Sequence, residues 1–370
     1  MTNSPMQVFV HLAYGYDSGS WQRRWQDGKI LGINEPLPYG YYRAEAMGCS
    51  VTHSQDSKES GPAKIFRLAV RVLLGFDLIH AWRNFDRMRS ADVIWTHTES
   101  QFLAILLLLR TVPPASRPKL IAQSVWLFDQ WHRFPALKQR LLSALIKRAD
   151  ILTVLSPENL AVAKRLFPGI RSELVLFGIS ADRKVEPCLR PVKTKLNIVS
   201  LGNDVHRDWA LLIEAVADQP GMNLKIASQK VKASSIGDAT NVEVVSLSTN
   251  EELFALYQWA DLLVLAIKPN FHASGITVLE EAALLGVPMI CSDIGGLRAY
   301  FSDAEVRFVP PLDVNALRHA ILELANNPDA RLALARKAQA RMGPTGLSSE
   351  SYVRRHVELS RELLARDDAR

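Results

Sequence analysis

Residues 272–280 have the composition of a turn that binds an anion and leads into a helix. The segment follows an apolar stretch predicted as a strand, contains Gly275, and opens a predicted helix with Ile276 and Thr277. The first turn of a helix leaves backbone N–H groups unpaired and carries a partial positive charge, which suits a diphosphate. The Thr277 hydroxyl either contacts phosphate or only caps the helix. Glu280 stands where a carboxylate can accept hydrogen bonds from vicinal hydroxyls, so the segment predicts a sugar-nucleotide site.

A loop at residues 200–209 can supply a cation to the same ligand. It follows a predicted strand, precedes a predicted helix, and contains Gly202, Asn203 and Arg207. A guanidinium binds a leaving diphosphate through charge-assisted, bidentate hydrogen bonds. The loop therefore completes the predicted diphosphate site.

The charged residues of this site also have a simpler interpretation. Arg207 can form a surface ion pair with Asp204 or Asp208, which are its close neighbours in sequence. Glu280 can be a solvated helix residue, as expected for Glu281. Both interpretations stay open at this point.

The turn resembles the donor-binding signature of GT-B glycosyltransferases of the family 4 kind, Glu-x7-Glu around Gly-Phe-Gly-Leu-Thr. Gly275 corresponds to the second glycine, Ser274 to the aromatic residue, Glu280 to the second Glu and His272 to the first. In that family the first acidic residue contacts the donor sugar and the second holds the ribose. The resemblance implies that Glu280 binds the ribose, and it places His272, which departs from the pattern, near the donor sugar or in a plain loop.

The resemblance extends from about residue 90 to the end of the chain and is weak before it. It includes the Ala149–Ser156 segment, the 177–180 turn and Pro310–Asp313. It implies two Rossmann-like doubly wound domains with a cleft between them, and a transferase that acts with retention. The donor would be a nucleoside-diphosphate sugar, and the acceptor a saccharide or lipid-linked saccharide in bacterial exopolysaccharide or glycolipid biosynthesis.

The pattern of apolar segments independently favours an α/β fold. Predicted strands alternate with predicted helices, which is typical of parallel sheets covered on both faces. The strands are predicted at residues 7–13, 50–53, 91–96, 119–125, 151–155, 196–201, 224–227, 242–245, 262–266 and 288–291. The helices are predicted at residues 40–47, 102–109, 136–148, 157–166, 210–217, 250–259, 314–324, 331–341 and 349–364, besides the one that follows Gly275.

Charge and proline interrupt this alternation once, at Asp182–Lys195, which we interpret as a linker. The predicted domains are an acceptor-binding domain at 1–185 and a nucleotide-sugar-binding domain at 196–345. In the resemblance, the helix at 346–370 crosses back to the first domain. A chain of 370 residues suits two such domains.

Candidate catalytic groups outside the donor turn come from loops of the first domain. His97 and Asp129 each follow a predicted strand, and with His272 they form the predicted catalytic set. The leaving diphosphate can itself accept the acceptor's proton, so the protein mainly has to supply positioning and charge. Aromatic turns at 14–16 and 38–42 can stack on an acceptor sugar or simply pack.

Composition predicts no cofactor and no metal. The sequence has no Asp-x-Asp pair after a strand, and its histidines are isolated along the chain. Three scattered cysteines favour a reducing compartment, and the first residues do not have the pattern of an export signal. We therefore expect a cytoplasmic protein, with the inner face of the plasma membrane as a further location.

Charge is distributed unevenly along the chain. Residues 1–190 contain 25 Lys and Arg against 16 Asp and Glu, a net charge of +9, and the remainder has a net charge of −3. No nucleic-acid recognition pattern accompanies the basic residues. Basic and apolar residues alternate over 64–89, which predicts either a helix on an anionic membrane surface or a core helix with a solvated basic face.

Two other function classes fit the same fold. A sugar-nucleotide epimerase would keep the diphosphate site but would need acid and base residues that the sequence does not identify. A noncatalytic sugar-nucleotide-binding partner of another transferase would explain the loss of the first acidic residue. No Gly-x-Gly-x-x-Gly follows the first strand, which disfavours a Rossmann oxidoreductase.

Overall fold

The computed structural model describes residues 4–188, 194–217 and 219–368. The chain forms two compact units. Unit 1 comprises Met1–Gln26, Glu35–Leu176 and Glu350–Arg370, and unit 2 comprises Asp27–Asn34 and Phe177–Ser349. The segment 27–34, which the sequence placed in the first domain, thus belongs to unit 2. Residues 189–193 of the predicted linker lie outside the described residues.

Unit 1 contains a parallel sheet of six strands in the part of the chain that the structure describes. The strand order is β2-β1-β3-β4-β5-β6, formed by β1 (Met6–His11), β2 (Cys49–His53), β3 (Val93–Thr96), β4 (Lys119–Ser124), β5 (Ile151–Val154) and β6 (Ser172–Leu174). Every residue of β3 and β5 is buried, as expected of strands covered on both faces. The covering helices are α1 (Ser18–Gln26), α2 (Gly61–Leu74), α3 (Leu78–Arg83), α4 (Phe85–Arg89), α5 (Glu99–Leu108), α6 (Leu127–Gln130), α7 (Ala136–Ile146) and α8 (Pro157–Leu166).

Unit 2 is built on a second parallel six-stranded sheet, again counted over the described residues. Its strand order is β12-β11-β10-β7-β8-β9, formed by β7 (Leu196–Leu201), β8 (Met222–Ala227), β9 (Val242–Val245), β10 (Leu262–Leu265), β11 (Met289–Ser292) and β12 (Arg307–Val309). Its helices are α9 (Trp209–Val216), α10 (Asn250–Trp259), α11 (Ile276–Leu284), α12 (Val314–Ala325) and α13 (Pro328–Arg341). The predicted fold class, two Rossmann-like α/β units, is confirmed.

The last helix, α14 (Ser349–Asp368), belongs to unit 1 from Glu350 onward. Its Ser360 hydroxyl accepts a hydrogen bond of 2.9 Å from the Trp95 indole on β3. Tyr352 on the same helix is also fully buried. The helix is therefore part of the core of unit 1.

Residues 64–89 do not form the single helix that their pattern predicted. Gly75 takes a left-handed conformation, with φ 82°, and ends α2. The Asp77 carboxylate then accepts a hydrogen bond from the His80 amide and begins α3. The left-handed conformation ends a helix, and glycine adopts it without the strain that a side chain would add. The helix therefore ends at Gly75.

Short 3₁₀ segments connect several elements, and the predicted helix at 40–47 is one of them. They span Pro38–Met47, Leu109–Thr111, Pro114–Ser116, Trp131–Arg133, Ala233–Ile236 and Leu297–Ala299.

Candidate functional site

The site predicted in unit 2 lies where the order of its strands reverses. Sequential strands run outward from β7 through β8 and β9 on one side, while β10 pairs with β7 on the other. In open α/β sheets, ligands bind beyond the carboxyl ends of the two strands at such a reversal. The loops that leave β7 and β10 are the two segments singled out from the sequence, 200–209 and 272–280.

Backbone hydrogen bonds hold these two loops together. The Asp208 amide donates to the Ala266 carbonyl over 2.8 Å, and the Lys268 amide donates to the His206 carbonyl over 2.7 Å. Arg207, between them, forms an isolated antiparallel bridge with Ile267. The position of Arg207 is thus set by main-chain contacts with the next strand of the sheet.

The guanidinium of Arg207 is buried, and among the described residues no carboxylate forms an ion pair with it, although Asp204 attracts it electrostatically. The residue is 4% exposed, its Nε donates to the Leu201 carbonyl over 3.1 Å, and its Nη1 lies 3.5 Å from the Ser274 hydroxyl. Within the described ranges no ion pair joins it to Asp204 or Asp208, so the surface ion pair is not formed. Burial lowers the pKa of Arg207. A buried cation of this kind is costly unless an anion joins it.

Two glycines make room for that guanidinium. A Cβ at Gly275 would lie 2.6 Å from Arg207 Nη1, and a Cβ at Gly202 would lie 2.8 Å from its Nε. Both glycines have positive φ, 97° and 129° respectively. The sequence assigned Gly275 to a close approach between backbone and ligand, whereas in the structure both glycines approach the arginine.

The turn at 273–275 leads into α11, and no side chain caps the amino end of this helix. Gly275 is the N-cap residue, and the Leu279 amide makes a 3.0 Å bond to the Gly275 carbonyl. The Ile276 amide is used within the turn, by the Ala273 carbonyl at 3.2 Å. The amides of Thr277 and of the residue after it therefore stand at the open end of the helix.

A cavity of about 360 Å³ in unit 2 adjoins this turn. Thr277 lines the cavity and does not cap the helix, so capping alone does not explain this residue. Asn203 also lines it and supports the loop after β8, because its Oδ1 accepts a 2.7 Å bond from the Gln229 amide. Leu31 and Gly32, from the segment 27–34 that belongs to unit 2, also line the cavity.

Glu281 is a structural carboxylate of this cavity, and the expectation that it would be solvated is wrong. Its Oε1 accepts from the Ile33 amide and its Oε2 from the Tyr257 hydroxyl, each over 3.0 Å. A Cβ at Gly32 would come within 2.4 Å of Oε1, so this contact requires glycine. Burial raises the pKa of Glu281, and these hydrogen bonds oppose the rise.

Glu280, the predicted ribose ligand, does not line the cavity. It is 0% exposed, and neither carboxyl oxygen has a hydrogen-bond partner among the described residues. Burial raises its pKa well above the usual range, and the nearby Glu281 adds to the rise. Burial therefore favours the protonated form of this carboxyl, and a ribose contact would require the side chain to turn toward the cavity.

His272 lies in a polar cluster that sequence spacing concealed. Its Nε2 lies 2.9 Å from Asp204 Oδ2, and His206 Nδ1 lies 3.1 Å from Asp204 Oδ1. Burial would raise the pKa of Asp204, but the bonds to the two histidines outweigh it and lower the pKa. The two histidines, isolated along the chain, are thus neighbours in space.

His97 follows β3 in unit 1, next to the point where the strand order of that sheet reverses. The Tyr39 ring stacks on it with 3.5 Å between ring centroids, and the Tyr41 hydroxyl lies 3.0 Å from its Nδ1. Burial, with a smaller contribution from His356, lowers the pKa of His97 to about 3. The aromatic turn at 38–42 therefore packs on a neutral imidazole.

A hydrogen-bond chain orients that imidazole. The Tyr352 hydroxyl donates to Gln123 Oε1 over 2.6 Å and lies 2.8 Å from the Tyr41 hydroxyl. Tyr41 is then the donor between the two hydroxyls, and its oxygen can accept from Nδ1 of His97. The Gln123 amide nitrogen also lies 3.5 Å from this Nδ1, so two groups contact the same ring nitrogen.

Asp129 belongs to the same unit but to another element. It lies in the first turn of α6, the short helix after β4, and is partly buried. The structure thus brings together Gly202, Asn203, Arg207, His272, Ser274, Gly275, Ile276 and Thr277 in unit 2, and it places His97 and Asp129 in unit 1.

Part of the chain is similar in sequence to a known protein family. Residues 190–341 match the protein family described as glycosyl transferases group 1. That match covers unit 2 from β7 to α13 and supports a transferase enzyme. Family 4 membership and the Glu-x7-Glu assignment remain predictions.

Curated relatives include a glycogen synthase of Mycobacterium tuberculosis, 27% identical over 215 residues, 54% of this chain and 51% of the relative. A D-inositol 3-phosphate glycosyltransferase of Corynebacterium urealyticum is 22% identical over 356 residues, 83% of this chain and 78% of the relative. The chain spans about half the length of the glycogen synthase that it matches.

Solved structures similar to this chain have the same fold. A sucrose-phosphate synthase from Thermosynechococcus elongatus superposes with a TM-score of 0.72 at 17% identity, over 97% of this chain and 99% of that one. Anabaena HepE, solved in complex with UDP-glucose, gives a TM-score of 0.65 at 14% identity, over 95% and 98%. The predicted fold, of the GT-B kind, is supported by both.

We expect Gly275→Ala to destabilise unit 2. The new Cβ would force a left-handed φ on alanine and would displace the Arg207 guanidinium, for a loss of about 1–3 kcal/mol in the free energy of unfolding. Gly221→Ala is the matched control, because a Cβ there meets no atom within 4 Å. Denaturant unfolding of both variants measures the difference, and equal stabilities would contradict the packing described for Arg207.

The neutral state of Glu280 predicts a pH dependence. Its carboxyl is protonated in the folded chain but ionises on unfolding above the ordinary Glu pKa, so its contribution to stability falls as pH rises from about 4.5. Glu280→Gln removes this term, and the variant should gain on the wild type with rising pH by up to about 1.4 kcal/mol per unit. Denaturant unfolding between pH 4.5 and 8 measures it, with Glu214→Gln, exposed on α9, as control. A difference that does not change with pH would mean that Glu280 is ionised in the folded protein.

Proposed function

We propose that this chain is a glycosyltransferase that moves a sugar from a nucleoside-diphosphate sugar to an acceptor hydroxyl, with retention of configuration. We place it in bacterial exopolysaccharide or glycolipid biosynthesis, with a saccharide or lipid-linked saccharide as the acceptor. The observation that carries the proposal is the buried guanidinium of Arg207, which lacks a carboxylate partner among the described residues and lies beside the open end of α11.

The diphosphate of the donor is the anion that this arrangement suits. Arg207 supplies a full positive charge, and the first turn of α11 supplies amides and a partial positive charge. The electrostatic attraction increases as negative charge develops on the leaving diphosphate, so the same groups favour the transition state over the bound substrate. Ser274 and Gly275 place these two sources of charge side by side.

The nucleoside of the donor would occupy the cavity of about 360 Å³ beyond Thr277. Its volume falls within the usual range for small-molecule sites, roughly 300–1,000 Å³. Glu281 is the carboxylate on its wall, and neither carboxyl oxygen of Glu280 has a protein partner among the described residues. We keep Glu280 as the proposed ribose ligand, with Glu281 fixing the wall at Gly32 and Ile33.

Proton transfer needs little from the protein in this proposal. The leaving diphosphate can accept the proton of the acceptor hydroxyl, while His272 stands at the turn next to Arg207. We keep His97 as a proposed catalytic residue in unit 1, where the Tyr41 hydroxyl contacts its ring; with a pKa of about 3 in the free protein, its imidazole is a weak base. Asp129 remains a proposed catalytic residue on its position after β4 alone.

The test of diphosphate binding is Arg207→Met. Removing a buried, unpaired charge should leave the stability of the free protein within about 1 kcal/mol, or raise it, while nucleotide binding is lost. A thermal-shift screen of UDP, GDP, ADP and CMP sugars first identifies the donor, beginning with UDP-glucose because HepE was solved with it. The melting-temperature rise should then disappear in Arg207→Met.

The control for that variant is Arg318→Met. Arg318 on α12 also donates to main-chain carbonyls, those of Glu214 and Ala215, but lies outside the site. It should keep the full nucleotide-induced shift. An undiminished shift in Arg207→Met would overturn the proposed diphosphate site.

Product analysis separates the transferase from its two rivals. A transferase releases the nucleoside diphosphate and joins the sugar to an added acceptor, whereas an epimerase alters the free sugar nucleotide without any acceptor. A noncatalytic partner binds the donor and does neither. The anomeric configuration of the product, measured by NMR, tests retention.

We further propose that α2 rests on an anionic membrane surface. In α2 only Arg67 is buried, through ion pairs with Glu59 and Asp77, whereas Val72 and Leu73 are each 84% exposed. This arrangement argues against the alternative of a core helix with a solvated basic face. Helix α7 lies next to the end of α2, because Lys138 on α7 approaches Gly75. The exposed apolar side chains of α7 therefore extend the exposed surface of α2.

The surface has the chemistry that an anionic bilayer recognises. Its exposed apolar residues are Ile65, Phe66, Leu68, Val72, Leu73, Leu137 and Leu141. Lys64 and Arg71 on α2 and Arg140 on α7 are exposed beside them. Apolar side chains can enter the headgroup region while each nearby Lys or Arg gains about 1 kcal/mol from anionic lipid. No helix among the residues described is both long enough and apolar enough to span a bilayer.

Leu73→Glu should weaken membrane binding without unfolding the protein. A carboxylate on this exposed position opposes both apolar insertion and the anionic surface, so vesicle binding should fall about fivefold or more at low salt. Co-sedimentation with phosphatidylglycerol vesicles measures it, and Leu322→Glu, on an exposed position of α12, is the control. If the wild-type protein fails to bind these vesicles, the membrane proposal is wrong.

A further inference from the structure

Three potential metal ligands converge beside the proposed diphosphate site. Asp204 and His206 come from the loop after β7, and His272 comes from the turn before α11. One donor atom from each lies within 4.8 Å of the donor atoms of the other two. His272 is nearly buried, whereas Asp204 and His206 are each about one-quarter exposed.

The backbone holds the three residues in place before any ligand binds. Asp204 Oδ1 accepts a 2.7 Å bond from the His206 amide, which closes a tight turn. The Lys268 amide bonds the His206 carbonyl, and the Arg207 bridge to Ile267 ties the two loops together. Preorganised donors lose less conformational entropy when they bind an ion.

We propose that Asp204, His206 and His272 bind a divalent transition-metal ion such as Zn²⁺ or Co²⁺. Two ligands that each lie about 2.1 Å from a metal are separated by about 3.0 Å at a right angle and about 3.4 Å at a tetrahedral angle. Each histidine nitrogen lies at about this separation from Asp204 but from a different carboxylate oxygen, His272 Nε2 2.9 Å from Oδ2 and His206 Nδ1 3.1 Å from Oδ1. An ion bound to one of these oxygens would replace both hydrogen bonds, and small side-chain rotations would bring the second imidazole to it. Two imidazole nitrogens and one carboxylate oxygen suit transition metals, whereas Mg²⁺ requires oxygen ligands.

The proposal departs from the expectation that the chain binds no metal, which stays a prediction. That expectation rested on histidines isolated in the sequence, but 66 positions separate His206 from His272 and their rings are 5.0 Å apart between centroids. The fold brings them together because β7 and β10 are neighbouring strands. Sequence spacing finds only ligands that share one element.

The ion has a role that rests on the proposed function. Three protein ligands leave coordination positions open, and diphosphate oxygens can fill them. Arg207 follows His206 directly, and Ser274 lies two residues after His272, so the ion would neutralise the leaving group together with Arg207. In this role the ion and the nucleoside diphosphate each increase the affinity of the other by the same factor.

The first experiment uses the metal alone and does not depend on glycosyl transfer. The purified chain is freed of metal with a chelator and titrated with Co²⁺, whose visible absorption reports coordination by nitrogen and oxygen. One ion per chain should bind, excess Mg²⁺ should not displace it, and Zn²⁺ should. Absence of a Co²⁺ band would overturn the proposal and would leave Asp204 as a hydrogen-bond acceptor for two histidines.

His206→Ala is the test variant, because it removes a ligand that the proposed donor site does not otherwise use. Loss of an outer-shell partner alone weakens metal sites about 10–100-fold, so loss of a ligand should weaken Co²⁺ binding at least about tenfold. His319→Ala removes an exposed imidazole on α12 and is the matched control. Equal Co²⁺ affinity in the two variants would overturn the site, and circular dichroism verifies that both are folded.

A second titration separates this inference from the proposed function. With UDP present, Co²⁺ should bind wild-type protein several-fold more tightly, and His206→Ala should lose that gain. Co²⁺ binding at the three residues without any response to UDP keeps the metal site and counts against the proposed donor. UDP binding with no Co²⁺ binding keeps the donor site and removes the metal.

Discussion

Placing a guanidinium in the interior of unit 2 imposes the main constraint on this site. Arg207 is held by a strand-like bridge to Ile267 and by the Leu201 carbonyl, and two glycines with positive φ leave space around it. None of these contacts neutralises its charge. A protein that keeps an unpaired cation in its interior loses stability, and such a loss is expected where an anion must be bound.

Much of the fold could be predicted from the sequence, because hydrophobic period and capping residues act locally. Leu196–Leu201, Val242–Val245 and Asn250–Trp259 have the predicted limits, since apolar runs and the Thr249 capping box determine them. β6 and β12 escaped prediction, because strands of three residues at sheet edges have little pattern of their own. The helix at 64–89 was overextended, because amphipathic spacing continued through Gly75, which ends α2.

The candidate site was predictable only where chemistry and chain order coincide. Arg207, Gly275 and Thr277 come from loops at the reversal of strand order, and both loops stand out in sequence. The two adjacent glutamates could not be told apart, because their difference lies in partners from distant segments, Ile33 and Tyr257 for Glu281. The same holds for the bonds of Tyr41 and Tyr352 that orient His97, which join residues far apart in the chain.

The chain enters unit 2 twice, first for eight residues at Asp27–Asn34 and again at Phe177. This short segment supplies the Ile33 amide, which donates to Glu281, and the Ile30 carbonyl, which accepts from Asn250. Its Gly32 also lines the cavity. A chimaera made by one crossover near residue 180, intended to exchange only the acceptor half between relatives, would therefore also exchange part of the nucleotide cavity. Exchanging a whole unit needs four junctions, after residues 26, 34, 176 and 349, so that residues 27–34 and the last helix each stay with the unit to which they belong.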